Sequence, residues 1–237
     1  MNIHYICPNC HEYLGCEESN RCDTCNVSHT AKECVKAGAF FITKSMESQL
    51  KNLFELGSVL PFIERTNTRK HDFGEIVTGQ MYKSSEMQTF LNNRDNFTMS
   101  FNTDGVQVFN SSTYQIWPIF ASLNEVASRF KSRFLLLHTL WFGLSKLRSD
   151  TFLRAFVEEG QRLYRDGFQW RDCKGILRTS RIMFKIFIAD APARAHILNQ
   201  AQFNGENGCE FCEHPGVSVE KGSGHARVPD VDKRACV

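Results

Sequence analysis

The first residues lack the pattern of a secretion leader: Met1-Asn2-Ile3-His4-Tyr5-Ile6-Cys7 has no basic region followed by an apolar core, so export is not expected. It also lacks an apolar run of membrane length. The longest, Phe134 to Phe142, is interrupted by His138 and Thr139 and falls far short of the roughly 20 residues a membrane helix needs. A strong charge of one sign is missing as well, the formal net charge being +2. That near balance hides an asymmetry: residues 126–185 carry 13 Lys/Arg against 5 Asp/Glu, whereas residues 1–35 carry 2 against 5. A phosphate-facing surface is therefore expected in the later segment, the alternative being a solvated helix face with surplus Arg. What is present is ordinary for a soluble globular protein, 237 residues with 42% apolar and 23% charged, enough for one sizeable domain and a small module.

A further lack lies in residues 1–35, which have almost no aliphatic periodicity. A segment of that size cannot build a core by burial alone and needs a staple. In a soluble, intracellular, thiol-reduced protein the ten cysteines read as metal ligands rather than disulfides. Cys7-Pro8-Asn9-Cys10 and Cys22-Asp23-Thr24-Cys25 form two C-x2-C knuckles separated by 11 residues, so two turns can present four thiolates tetrahedrally to Zn2+. Unrelated free thiols are the competing reading. Cys16, Cys34, His11 and His29 stand near enough to serve as spare ligands. Cys209-Glu210-Phe211-Cys212 is a third knuckle, a half-site that His225 or residues further downstream would complete, or else a turn with two buried thiols.

Three segments follow: a Cys-rich zinc-ribbon-like module at 1–35, a helix and linker at 36–96, and an α/β domain at 97–237. In the linker segment, Met46, Leu50, Leu53 and Phe54 mark one helical face ended by Gly57. The polar stretch 65–96 reads as a connection with a short helix at most. Phe97, Met99 and Phe101 alternate with polar residues and predict a strand leading into Asp104. Gln115 to Leu123 and Phe134 to Phe142 predict two more, and Thr151 to Asp166 an amphipathic helix with Asp150 placed to cap it. Phe184 to Ala189 predicts a fourth strand, closed by Asp190. Three strands, a helix and a fourth strand is the order of a ribonuclease-H-like mixed sheet, in which first and fourth strands are neighbours. Asp104 and Asp190, 86 positions apart, would then meet as a pair of carboxylates able to hold divalent cations for phosphodiester chemistry. The aspartate-nucleophile phosphatase reading of Asn102-Thr103-Asp104-Gly105 fails, because that chemistry needs an Asp where Asn102 stands. A plain Asp-Gly turn remains the competing explanation of Asp104.

Asn102-Thr103-Asp104-Gly105-Val106, Ser111-Ser112, Tyr114, Ile116-Trp117-Pro118, Asn124-Glu125, Leu140-Trp141-Phe142-Gly143, Phe152-Leu153 with Phe156-Val157-Glu158-Glu159, Asp190-Ala191-Pro192-Ala193-Arg194, and Phe203-Asn204-Gly205 with Gly208-Cys209, Cys212 and His214-Pro215-Gly216 occur in that order. This series resembles the transposases of CACTA (En/Spm) DNA transposons, over about residues 37–227. The resemblance implies a ribonuclease-H-like domain that cuts and joins DNA with Mg2+ or Mn2+ held by two Asp and a Glu. Asp104 would be the first acid and Asp190 the second, with the Cys209/Cys212 knuckle resembling one at the mouth of an insertion subdomain. It further implies DNA as partner (transposon ends or non-specific), a homo-oligomer and a nuclear location. The third acid of the pattern has no convincing counterpart among Glu206, Glu210, Glu213, Glu220, Asp230 and Asp232. The expectation is thus a C-terminally truncated, partial catalytic domain that does not cut, or a zinc-binding DNA- or protein-interaction module without catalysis.

Overall fold

A computed structural model describes residues 1–64, 76–107, 114–143, 148–202, 204–209 and 215–228. The chain divides into two compact units, Met1–Phe187 and Ile188–Val237. The elements of the first are β1 (Asn2–Ile6), β2 (Tyr13–Gly15), β3 (Ser19–Arg21), β4 (Ser28–Thr30), α1 (Ala31–Lys36), β5 (Phe40–Thr43), α2 (Met46–Glu55), α3 (Ser85–Leu91), β6 (Phe97–Thr103), β7 (Val106–Gln107), β8 (Gln115–Leu123), β9 (Leu136–Gly143), α4 (Ser149–Arg165), β10 (Phe168–Arg171), β11 (Leu177–Ser180) and β12, which runs Ile182–Ile188 into the second unit. The second unit holds α5 (Ala191–Ile197) and a hairpin of β13 (Val217–Lys221) and β14 (Gly224–Val228).

One mixed eight-stranded sheet organises the first unit, in the order β12-β6-β8-β9-β5-β1-β2 with β7 beside β8. The pairs from β6 through β2 are antiparallel. At the other edge Phe97 N donates to Arg181 O at 3.0 Å and Arg181 N to Asn96 Oδ1 at 3.1 Å. The two strands therefore start side by side, and β12 runs parallel to β6. Helix α4 lies in the connection that a parallel neighbour requires.

Alternation fixes which face of the sheet is covered. Trp117, Ile119, Ala121 and Leu123 of β8 are buried. On that side Phe156 of α4 contacts Phe101 at 4.9 Å, Phe184 at 5.2 Å and the His138 ring at 5.3 Å. Helix α2 buries Met46, Leu50 and Phe54, and Phe54 meets Phe97, Phe168 and Trp170 at 4.8, 5.7 and 5.0 Å. Aromatic rings bury large apolar areas per side chain, and here they join the sheet, both helices and the β10–β11 hairpin into one core. Gly57 ends α2 with φ +64, the left-handed conformation glycine adopts without penalty.

Asp150 does not cap α4. The cap position is Arg148, without a side-chain cap bond, and the helix starts two residues earlier than the apolar pattern indicates. Asp150 sits inside the first turn, accepting from Thr151 N at 2.8 Å and pairing with Arg148 at 2.7 Å. It still places negative charge at the helix start. The Cys-rich residues also feed the main sheet, because β1 pairs with β5 from Asn2↔Thr43 to Tyr5↔Phe40.

Candidate metal centre and the aspartate positions

The two knuckles have the same backbone construction. Cys7 N donates to Glu12 O (2.8 Å) and His11 N to Cys7 O (2.9 Å); Cys22 N donates to Val27 O (2.8 Å) and Asn26 N to Cys22 O (2.8 Å). Each turn closes through a left-handed residue, His11 at φ 61 and Asn26 at φ 56. One knuckle follows β1 and the other follows β3. The result is that Cys7, Cys10, Cys22 and Cys25 present sulfurs all within 4.8 Å of one another. Tetrahedral Zn2+ with sulfur at about 2.3 Å needs sulfurs roughly 3.8 Å apart, so the donor set fits a zinc ion with small adjustments. Cys10 and Cys22 already stand at 3.5 Å.

Crowding among these sulfurs shows in their ionisation. A hydrogen bond with Cys10, then burial, pushes the Cys25 thiol up to about 12. Burial raises Cys7, while the backbone hydrogen bond from Cys25 lowers Cys22. Four neighbouring thiolates repel one another, and a divalent cation removes that penalty. Of the spare ligands, His29 places Nε2 3.5 Å from Cys7 Sγ, able to support a ligating sulfur. Cys34 is buried, and Cys16 is exposed beside His4. Cys209 is half-buried, whereas Cys212 lies outside the described residues.

Asp104 is the first residue beyond β6, exposed, with Oδ1 accepting from Gly105 N at 2.7 Å. It falls in a break along one side of β8: β6 ends opposite Ile119 at Thr103, and β7 begins opposite Ile116 at Val106. Gly105 lies flat on the Trp117 ring, where a Cβ would come within 2.5 Å of it. Asp190 is the second residue beyond β12 and N-caps α5, accepting from Ala193 N at 2.8 Å. It belongs to the second unit. Among the described residues, the four cysteines form the one cluster of three or more potential metal ligands.

Two further carboxylates are held by networks of hydrogen bonds, Glu125 buried and Glu159 half-buried. Glu125, fully buried, accepts from Thr98 N (3.1 Å), Thr98 Oγ1 (2.7 Å) and Tyr82 OH (2.9 Å). Asn124 beside it bonds Ser100 and Thr98. Glu159 of α4 accepts from His138 Nε2 (3.0 Å), Ser45 Oγ (2.9 Å) and the Met46 and Glu47 amides (3.1 and 3.0 Å), so it closes the N-terminus of α2. The signal for this pair was the interruption of an apolar strand by His138 and Thr139. Part of the basic surplus of 126–185 is offset by ion pairs: Arg129 with Glu64, Arg148 with Glu12 and Asp150, Arg162 with Glu47, Arg178 with Asp95 and Asp172, and Lys185 with Glu86. Most of those acids come from outside the segment, which a count of the segment alone does not reveal.

No family model matches the chain, and no curated protein matches it.

Proposed function

We propose that this is a transposase-like protein of the CACTA type, built on a ribonuclease-H-like sheet with an N-terminal zinc ribbon, that binds DNA without cutting it efficiently. The observation that carries the reading is the strand order β9-β8-β6-β12, with β12 parallel to β6, α4 in the connection and an aspartate just beyond both β6 and the edge strand β12. Asp104 and Asp190 are the residues assigned to Mg2+ or Mn2+. Two carboxylates without a third ligand hold such ions poorly, so no catalytic step is assigned to them. DNA, a second copy of the chain and a nuclear setting are the partners and location consistent with this reading.

A second reading is a zinc-stabilised interaction module without catalysis. It is favoured by the ion pairing of the basic segment and by the capping role of Asp190. One assay separates the two: DNA binding and Mn2+-dependent nicking by the whole chain, beside Asp104→Ala and Asp190→Ala. The expected result is weak, salt-sensitive binding with little nicking. Robust nicking lost in both variants overturns the claim of poor cutting. Absence of any salt-sensitive binding overturns the transposase-like reading in favour of the module.

A further inference from the structure

Cys16 stands outside the zinc cluster in an arrangement of its own. Its Sγ lies 3.4 Å from Nδ1 of His4. That imidazole is 7% exposed, stacked on Phe41 at 4.8 Å and 3°, and held at Nε2 by Thr43 Oγ1 at 2.8 Å. The hydroxyl of Tyr13 reaches the same Nδ1 at 2.9 Å. An exposed thiol, an imidazole within reach and a third group fixing the imidazole form the constellation that activates a nucleophile. With Nε2–H donated to Thr43, the Nδ1 lone pair is the acceptor for which the Tyr13 hydroxyl and the Cys16 thiol compete. Burial first, and the nearby His138 second, hold His4 below its ordinary value, keeping it in the proton-accepting form at neutral pH.

We propose that Cys16 is a thiolation site that reacts with small-molecule disulfides. The Cys16 proton passes to His4 Nδ1, and the sulfur attacks one sulfur of the reagent. The reagent's S–S bond breaks as the mixed disulfide on Cys16 forms, and the departing thiolate recovers the proton from His4. Cys16 is oxidised and the departing half of the reagent is reduced. The charged and titratable groups facing the site are His4 on β1, Tyr13 on β2, His138 on β9, and Arg154 and Glu158 on α4, with Arg154 5.1 Å over the Tyr13 ring. Arg154 favours an anionic disulfide.

The test treats the whole zinc-loaded chain with glutathione disulfide and, separately, iodoacetamide, and follows each cysteine by peptide mass spectrometry. Exposed Cys173 is the internal reference. Cys16 is expected to react at least about tenfold faster than Cys173 near neutral pH. The ratio should widen as pH falls, because a thiol with its own base loses less rate than one that must ionise into solvent. His4→Gln should bring the ratio close to one, and Tyr13→Phe, which keeps the ring and frees Nδ1, should leave Cys16 fast. Equal rates with parallel pH dependence in the unaltered chain overturn the proposal without recourse to any variant.

Discussion

Glu125 and Glu159 are pushed in opposite directions by their surroundings, and the signs of the two effects can be separated by pH. Burial raises Glu125 above its ordinary 4.5 in spite of the bonds from Thr98 and Tyr82. Its contribution is therefore full below 4.5 and is lost as pH rises toward the folded-state value. Burial opposes ionisation of Glu159 most strongly too, yet the bonds from His138 and from the Glu47 and Met46 amides win and bring it down to about 2. Its contribution is present above 4.5 and lost as pH falls toward 2, on the order of 3 kcal/mol in all. Urea midpoints measured across pH should show Glu159→Gln flattening the acid limb, with a loss of about 1–3 kcal/mol at pH 7. Glu125→Gln should flatten the limb above 4.5 instead. If both variants shift stability equally at every pH, the assignment of opposite signs is wrong.

At the scale of elements, the break between β6 and β7 shows why some of the site was legible and some was not. Gln115–Leu123 was readable to the residue, because a nine-residue, mostly apolar run with Ile, Trp and Phe is long enough to outweigh local ambiguity. β6 was readable from its alternation and β12 from its apolar run, within a residue or two at their ends. β5, β7, β10 and β11 have four residues or fewer, too few for a period to register, and exist because longer strands or helices template them. The four zinc-ligand candidates were legible because C-x2-C spacing encodes its own turn. The buried Glu125 was not, since burial of a carboxylate depends on partners such as Tyr82, 43 positions away. Gly105 adds a testable consequence. Its need is close approach to Trp117 rather than an unusual backbone angle, and Gly143 stands in the same relation to Trp141. Gly105→Ala should cost about 1–3 kcal/mol by displacing the Trp117 ring, read as a lower urea midpoint with altered tryptophan fluorescence. A variant as stable as the parent would show that the ring moves aside freely.

For the first unit as a whole, the zinc ligands belong to the same cooperative structure as the sheet. The Cys7 knuckle leaves directly from β1, β1 is hydrogen-bonded to β5, and β5 to β9; Thr151 of α4 donates to His11 O at 3.2 Å. A closed structural zinc contributes folding free energy outright, about 10–16 kcal/mol of apparent binding in small zinc peptides. Losing it here should therefore loosen β1 and β5 together with the knuckles. Metal analysis of the whole chain is expected to show at least one zinc, with Cys22→Ser or chelation removing it. Hydrogen exchange after chelation should then accelerate at β1, β2 and β5 while β6 and β8, buried between other strands and beneath α4, retain most of their protection. Thermal unfolding of the first unit should move down as one transition, because zinc that binds only the folded state stabilises everything that unfolds with it. A separate low-temperature transition confined to residues 1–35, with exchange at β5 unchanged, would mean that the knuckles fold by themselves and merely rest against the sheet edge.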